Sequence, residues 1–176
     1  MNIIFLDVDG VILPWDAEDP LSAYNNKNFA ETILPIHPLE LFNKLAAENN
    51  AKIVVASMWR FHDKDLMSHI HKSDKNYVPF DLRKFLTNSG LTAEFHEDWH
   101  TPMPDKLGEL INGVPRGLEI FRWLKEHPDV DNWVSVDDDS SGFANLGIRQ
   151  HLAKINPYKG FTDKDYETAN KILKGI

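Results

Sequence analysis

Near its N-terminus the chain carries four consecutive apolar residues, Ile3-Ile4-Phe5-Leu6, that run without a break into Asp7-Val8-Asp9-Gly10. A strand that is hydrophobic throughout, rather than at alternate positions, must be covered on both faces, and that is the condition of a parallel sheet held between helices. Residues 53–56 and 133–136 have the same character, and residues 92–95 form a weaker fourth run. Between the runs lie stretches with helical spacing of apolar residues: 38–48, with Leu39, Leu41, Phe42 and Leu45; 117–127, with Leu118, Phe121, Trp123 and Leu124; and a closing segment at 163–173. Strands alternating with helices predict an α/β fold, a three-layer α/β/α arrangement around a parallel central sheet. The 176 residues, 42% hydrophobic and 26% charged, suit one domain with a real core, with insertions at about 13–38 and 61–90.

The acids stand where such a fold binds its ligands. In open α/β sheets the binding crevice lies beyond the carboxyl ends of the strands. Asp7 and Asp9 follow the first apolar run, and Asp137-Asp138-Asp139 follow Trp133-Val134-Ser135-Val136 in the same way. Gathered at neighbouring strand tips, these like charges require a cation. Hard oxygen donors with no sulfur favour magnesium, which takes one or two carboxylates and a substrate phosphate. A third strand end carries Ser57, whose hydroxyl and neighbouring amides suit a phosphate oxygen. Arg116 stands just before the 117–127 helix and offers a fixed positive charge. The structural alternatives are plain: Asp-Gly is a turn signal, and Ser57 or the 137–139 acids suit helix caps.

Charge and composition narrow the class further. With 19 Lys and Arg against 27 Asp and Glu, the net charge of −8 gives no overall attraction to nucleic acid or anionic membrane, although a local basic patch is compatible with it. The absence of cysteine removes disulfides, thiolate metal sites and thiol catalysis. The first apolar run ends at Asp7, far short of the roughly 18 residues a membrane span needs. The expected setting is soluble and cytoplasmic.

The order of these motifs resembles the haloacid dehalogenase (HAD) superfamily of aspartate-dependent phosphohydrolases. Asp7-Val8-Asp9-Gly10-Val11 comes first, Ser57 follows the second strand 50 positions later, Arg116 precedes a helix, and Asp137-Asp138 ends the next strand. The likeness spans roughly residues 1–155. The combination of Ala56-Ser57-Met58-Trp59-Arg60, Arg116-Gly117-Leu118-Glu119 and Asp137-Asp138-Asp139 looks closest to small HAD-like domains of nucleic-acid end repair, which have no large cap. The resemblance implies a Rossmann-like fold and a magnesium-dependent phosphatase acting on a small phosphorylated substrate or a phosphorylated nucleic-acid end. By position, Asp7 would be the nucleophile that becomes an aspartyl-phosphate and Asp9 the general acid and base. Ser57 and Arg116 would hold phosphoryl oxygens, and Asp138, Asp7 and the Asp9 carbonyl would hold magnesium, with Asp137 as a further ligand. Arginine stands where the superfamily more often has lysine, and Lys106 is a rival for that role.

Trp59 and Arg60 suit either base stacking and a second phosphate contact, or packing and an ion pair with a surface acid. His96 and His100 have a spacing that on a helix would suit zinc, but the local pattern reads as strand then loop. A phospho-accepting signalling module also gathers acids at strand ends around magnesium, yet it would need a lysine where Asp137-Asp138 stand. A catalytically silent HAD-like binding protein is the third alternative.

Overall fold

The structure, a computed structural model, describes residues 1–15, 32–64, 80–103 and 113–176. Five parallel strands form one sheet in the order β3-β2-β1-β4-β5. They are β1 (Asn2–Leu6), β2 (Ala51–Val55), β3 (Phe95–His100), β4 (Asn132–Asp137) and β5 (Leu152–Lys154). The helices are α1 (Ile36–Asn49), α2 (Leu82–Asn88), α3 (Arg116–Glu126) and α4 (Asp163–Lys174), with short 3₁₀ turns at Met58–His62 and Arg149–His151. This is the Rossmann-like α/β architecture expected, without a large cap among the described residues.

The continuous hydrophobicity of the strands finds its cause in two separate cores. Ile4, Leu6, Ile53, Val55, Val134 and Val136 face one side of the sheet, where Leu39 and Phe42 of α1 and Ala169 and Leu173 of α4 cover them. Ile3, Phe5, Val54 and Trp133 face the other side, under Ile120 and Trp123 of α3 and Phe143. Phe5 is pinned edge-on by Trp123 and Trp133, at 5.3 and 5.6 Å between ring centres. With both faces filled almost entirely by apolar side chains, buried Ser135 of β4 being the exception, chemistry is confined to the strand ends.

Turn chemistry sets those ends. Asn50 adopts a left-handed conformation (φ 46°), and its N–H closes α1 onto the Ala46 and Ala47 carbonyls, so β2 starts at the next residue. At the other end of the chain, Asp165 accepts the Thr162 N–H at 3.0 Å and caps α4.

Two expectations shift. The strand read at 92–95 lies instead at Phe95–His100, an edge strand whose exposed Glu97 and Asp98 break the apolar signal. His96 and His100 are therefore both inside β3, not in a loop; the His96 ring packs against Trp123 and His127, and among the described residues neither histidine joins a metal-sized cluster. The short β5 had no counterpart in the sequence pattern. Of the two insertions, residues 16–31 and 65–79 lie outside the described residues, as does Lys106.

Candidate active site

Sheet register brings the two acidic segments together. Leu6 pairs with Val55 on one side and Val136 on the other. The next residues therefore stand side by side, with the Asp7 N–H on the Val136 carbonyl (3.3 Å) and the Ala56 N–H on the Leu6 carbonyl (2.8 Å). Asp7, Asp137 and Asp138 each offer an oxygen within 4.8 Å of the others. Their 130-residue separation in sequence is closed by the β1–β4 pairing alone. Gly10 completes the approach. Its φ of +74° suits glycine, and a Cβ there would lie 2.7 Å from Asp138 Oδ2 and 2.9 Å from Pro157 Cβ.

Arg116, the first residue of α3, is buried against these acids. Its Nε lies 2.8 Å from Asp137 Oδ2, as an ion pair without hydrogen-bond alignment. Nη2 lies 3.5 Å from Asp7 Oδ1, and Nη1 donates to Glu119 Oε2 at 2.8 Å. The start of α3 is held by the loop after β4. Ser141 accepts the Arg116 N–H on its hydroxyl (3.0 Å) and the Gly117 N–H on its carbonyl (2.8 Å). Asp139 in turn accepts both the N–H and the hydroxyl of Ser141, at 2.7 and 2.8 Å. The third aspartate of the run is thus a loop fastener rather than a member of the metal-sized cluster. Gly117 permits the contact, since a Cβ there would stand 2.7 Å from the Phe143 nitrogen.

Ser57 is completely buried at the end of β2, where its hydroxyl oxygen accepts the Trp59 backbone N–H at 3.4 Å. Arg60 is engaged by protein partners. It is 0% exposed, donating from Nη1 to the Ser57 carbonyl and from Nη2 to Glu119 Oε1, both at 2.6 Å. Its carboxylate partner is buried Glu119 rather than a surface acid. Glu119 thus bridges two guanidinium groups, and it was missed in the sequence although its spacing three positions after Arg116 on a helix is a pairing signal. Asp9 is half-buried and accepts the Trp59 indole N–H at 3.0 Å.

The electrostatics follow from crowding carboxylates in a buried place. Burial pushes Asp7 up to about 7, opposed by Arg116 and the Ser57 hydroxyl and reinforced by Asp138 and Asp9. Burial and Asp7 likewise hold Asp137 well above the ordinary carboxylate range, and burial raises Asp138 against the pull of Lys154. Arg116 is driven upward although burial opposes it, because Asp137, Asp7 and Glu119 surround it. Arg60 is lowered by burial, only partly offset by Glu119. Three carboxylate donors without sulfur or imidazole can hold a hard divalent cation.

The family model for the HAD domain in Swiss Army Knife RNA repair proteins matches residues 3–166. The chain belongs to this family. No curated protein and no solved structure matches it. The match runs from the first residues of β1 into α4 and so takes in every strand of this HAD domain. Membership makes it a HAD-superfamily domain of the phosphohydrolase kind, related to RNA repair. No described helix of the HAD domain is long and apolar enough to cross a membrane.

Proposed function

We propose that this HAD domain is a single-domain, magnesium-dependent phosphomonoesterase that removes a terminal phosphate from a nucleic-acid end through an aspartyl-phosphate intermediate. The observation that carries the reading is the meeting of Asp7, Asp137 and Asp138 beside buried Arg116. In the first step an Asp7 carboxylate oxygen attacks phosphorus, and the P–O bond to the sugar oxygen breaks as the Asp7 O–P bond forms. Asp9, two residues on, gives its proton to the departing oxygen, which leaves as a hydroxyl. Asp9 then takes a proton from water, whose oxygen attacks phosphorus and displaces Asp7, releasing inorganic phosphate. Ser57 and Arg116 hold the phosphoryl oxygens, and Arg116 is itself held from behind by Glu119. Arg60 supports this arrangement through Glu119 and the Ser57 carbonyl without touching substrate.

The donor set fits magnesium, with Asp7, Asp137, Asp138 and the Asp9 carbonyl as its ligands. Bound there, the ion would offset the charge that keeps a phosphate dianion from a carboxylate nucleophile. The RNA-repair family description favours a phosphorylated polynucleotide end over a small metabolite.

The test is a phosphate-release assay with magnesium over 3′- and 5′-phosphorylated oligoribonucleotides, nucleotides and sugar phosphates, wild type against Asp7→Asn. Release above the Asp7→Asn background on an oligonucleotide end supports the reading. Failure on every substrate ends it.

A further inference from the structure

Trp59 stands two residues after Ser57, in the 3₁₀ turn at the end of β2, while its neighbour Met58 faces solvent. Its indole is 1% exposed and packs against Phe80 and Phe85, with ring centres at 6.2 and 5.6 Å. A buried indole N–H requires an acceptor. Here the acceptor is Asp9 Oδ2 at 3.0 Å. The backbone on the far side of Asp9 is already fixed, because the Val8 carbonyl accepts the N–H groups of Val11, Ile12 and Leu13, and Gly10 N–H bonds the Leu13 carbonyl. The turn sets where the Asp9 side chain starts, and the indole sets where it ends.

We propose that Trp59 is a positioning residue for Asp9, and that through it the enzyme handles esters whose leaving oxygen needs a proton, such as the sugar hydroxyl of a nucleic-acid end. This rests on the phosphatase reading above. The indole N–H donates to Oδ2 of the carboxyl group at 3.0 Å, and a directed hydrogen bond of this kind restricts rotation of the carboxyl plane about its bond to Cβ. The N–H therefore helps set the direction in which the carboxyl group faces the leaving oxygen. Without it the carboxyl group turns, and the transition state forfeits part of the general-acid contribution.

Leaving groups distinguish positioning from mere packing. 2,4-Dinitrophenolate departs without a proton, whereas a ribose alkoxide does not. With Trp59→Phe, which keeps an aromatic ring against Phe80 and Phe85, kcat on a terminally phosphorylated oligoribonucleotide should fall roughly ten- to a hundredfold, against less than about threefold on 2,4-dinitrophenyl phosphate. Asp9→Asn should show the same discrimination, and adding Trp59→Phe to it should cost nothing further on the oligonucleotide. If Trp59→Phe folds poorly, benzothienylalanine placed at position 59 removes the N–H while keeping the indole shape. Equal losses on both esters, or a full additional loss in the Asp9→Asn background, overturn the proposal and leave Trp59 a core residue. A wild type that cleaves neither ester above the Asp7→Asn background defeats the phosphatase reading and this inference with it.

Discussion

Replacing Gly10 by alanine tests the closeness of the two acidic segments with a single methyl group. Two costs follow from the geometry. A φ of +74° is unfavourable for alanine by about 1–2 kcal/mol. The new Cβ would also lie 2.7 Å from Asp138 Oδ2 and 2.9 Å from Pro157 Cβ. The clash falls on a proline ring atom as well as on the Asp138 carboxyl, so overpacking adds about 1–3 kcal/mol. Gly147 is the internal control, because its φ of +68° carries the same conformational cost while nothing lies within 4 Å of its Cβ position. At roughly 2–4 °C per kcal/mol for a chain of this size, Gly10→Ala should melt about 2–12 °C below Gly147→Ala, read by circular dichroism in metal-free buffer. Added magnesium should raise the Tm of wild type and Gly147→Ala alike, by binding the folded state, but raise that of Gly10→Ala much less. If the two alanine variants melt together and respond equally to magnesium, Gly10 does not seat Asp138 against the Asp7 loop and the shared site is wrong.

Other perturbations read the same site by different routes. Asp7, raised to about 7 from 3.8, binds more protons folded than unfolded across that interval, so metal-free stability should fall as pH rises from about 4 to about 7. Asp7→Asn should flatten that slope in urea titrations, and an unchanged slope would contradict the burial of its charge. Glu119→Ala leaves two buried guanidinium groups short of a partner and should cost about 3–5 kcal/mol, whereas Glu119→Gln keeps an acceptor and should cost clearly less. Equal unfolding midpoints for the two variants would rule out the bridging role. Asp138→Ala removes a like charge beside Asp7, so it should raise the Tm in chelator yet weaken the magnesium-induced rise. A Tm lower in both conditions would speak against the crowding described.

Much of this protein is legible in its sequence alone. Three nearly continuous apolar runs announce a sheet covered on both faces, and a parallel sheet delivers the residues after its strands to one edge. Asp7, Ser57 and Asp137 could be gathered on that rule alone, because register between β1, β2 and β4 leaves little freedom once both faces are buried. Where only one face is covered the rule weakens: β3, with Glu97 and Asp98 exposed at the sheet edge, carries no continuous pattern, and the weak apolar run at 92–95 lies just ahead of the strand itself. Trp59 on Asp9 and Arg60 on Glu119 join residues 50 and 59 positions apart, and no periodicity encodes such pairs. The chain alone determined which acids end up at the strand tips, since hydrophobic burial is a local property of each segment. Only the folded structure decided their proton affinity and which cation answers which acid, because those depend on depth and on distances of a few ångströms between groups that the sheet brings together.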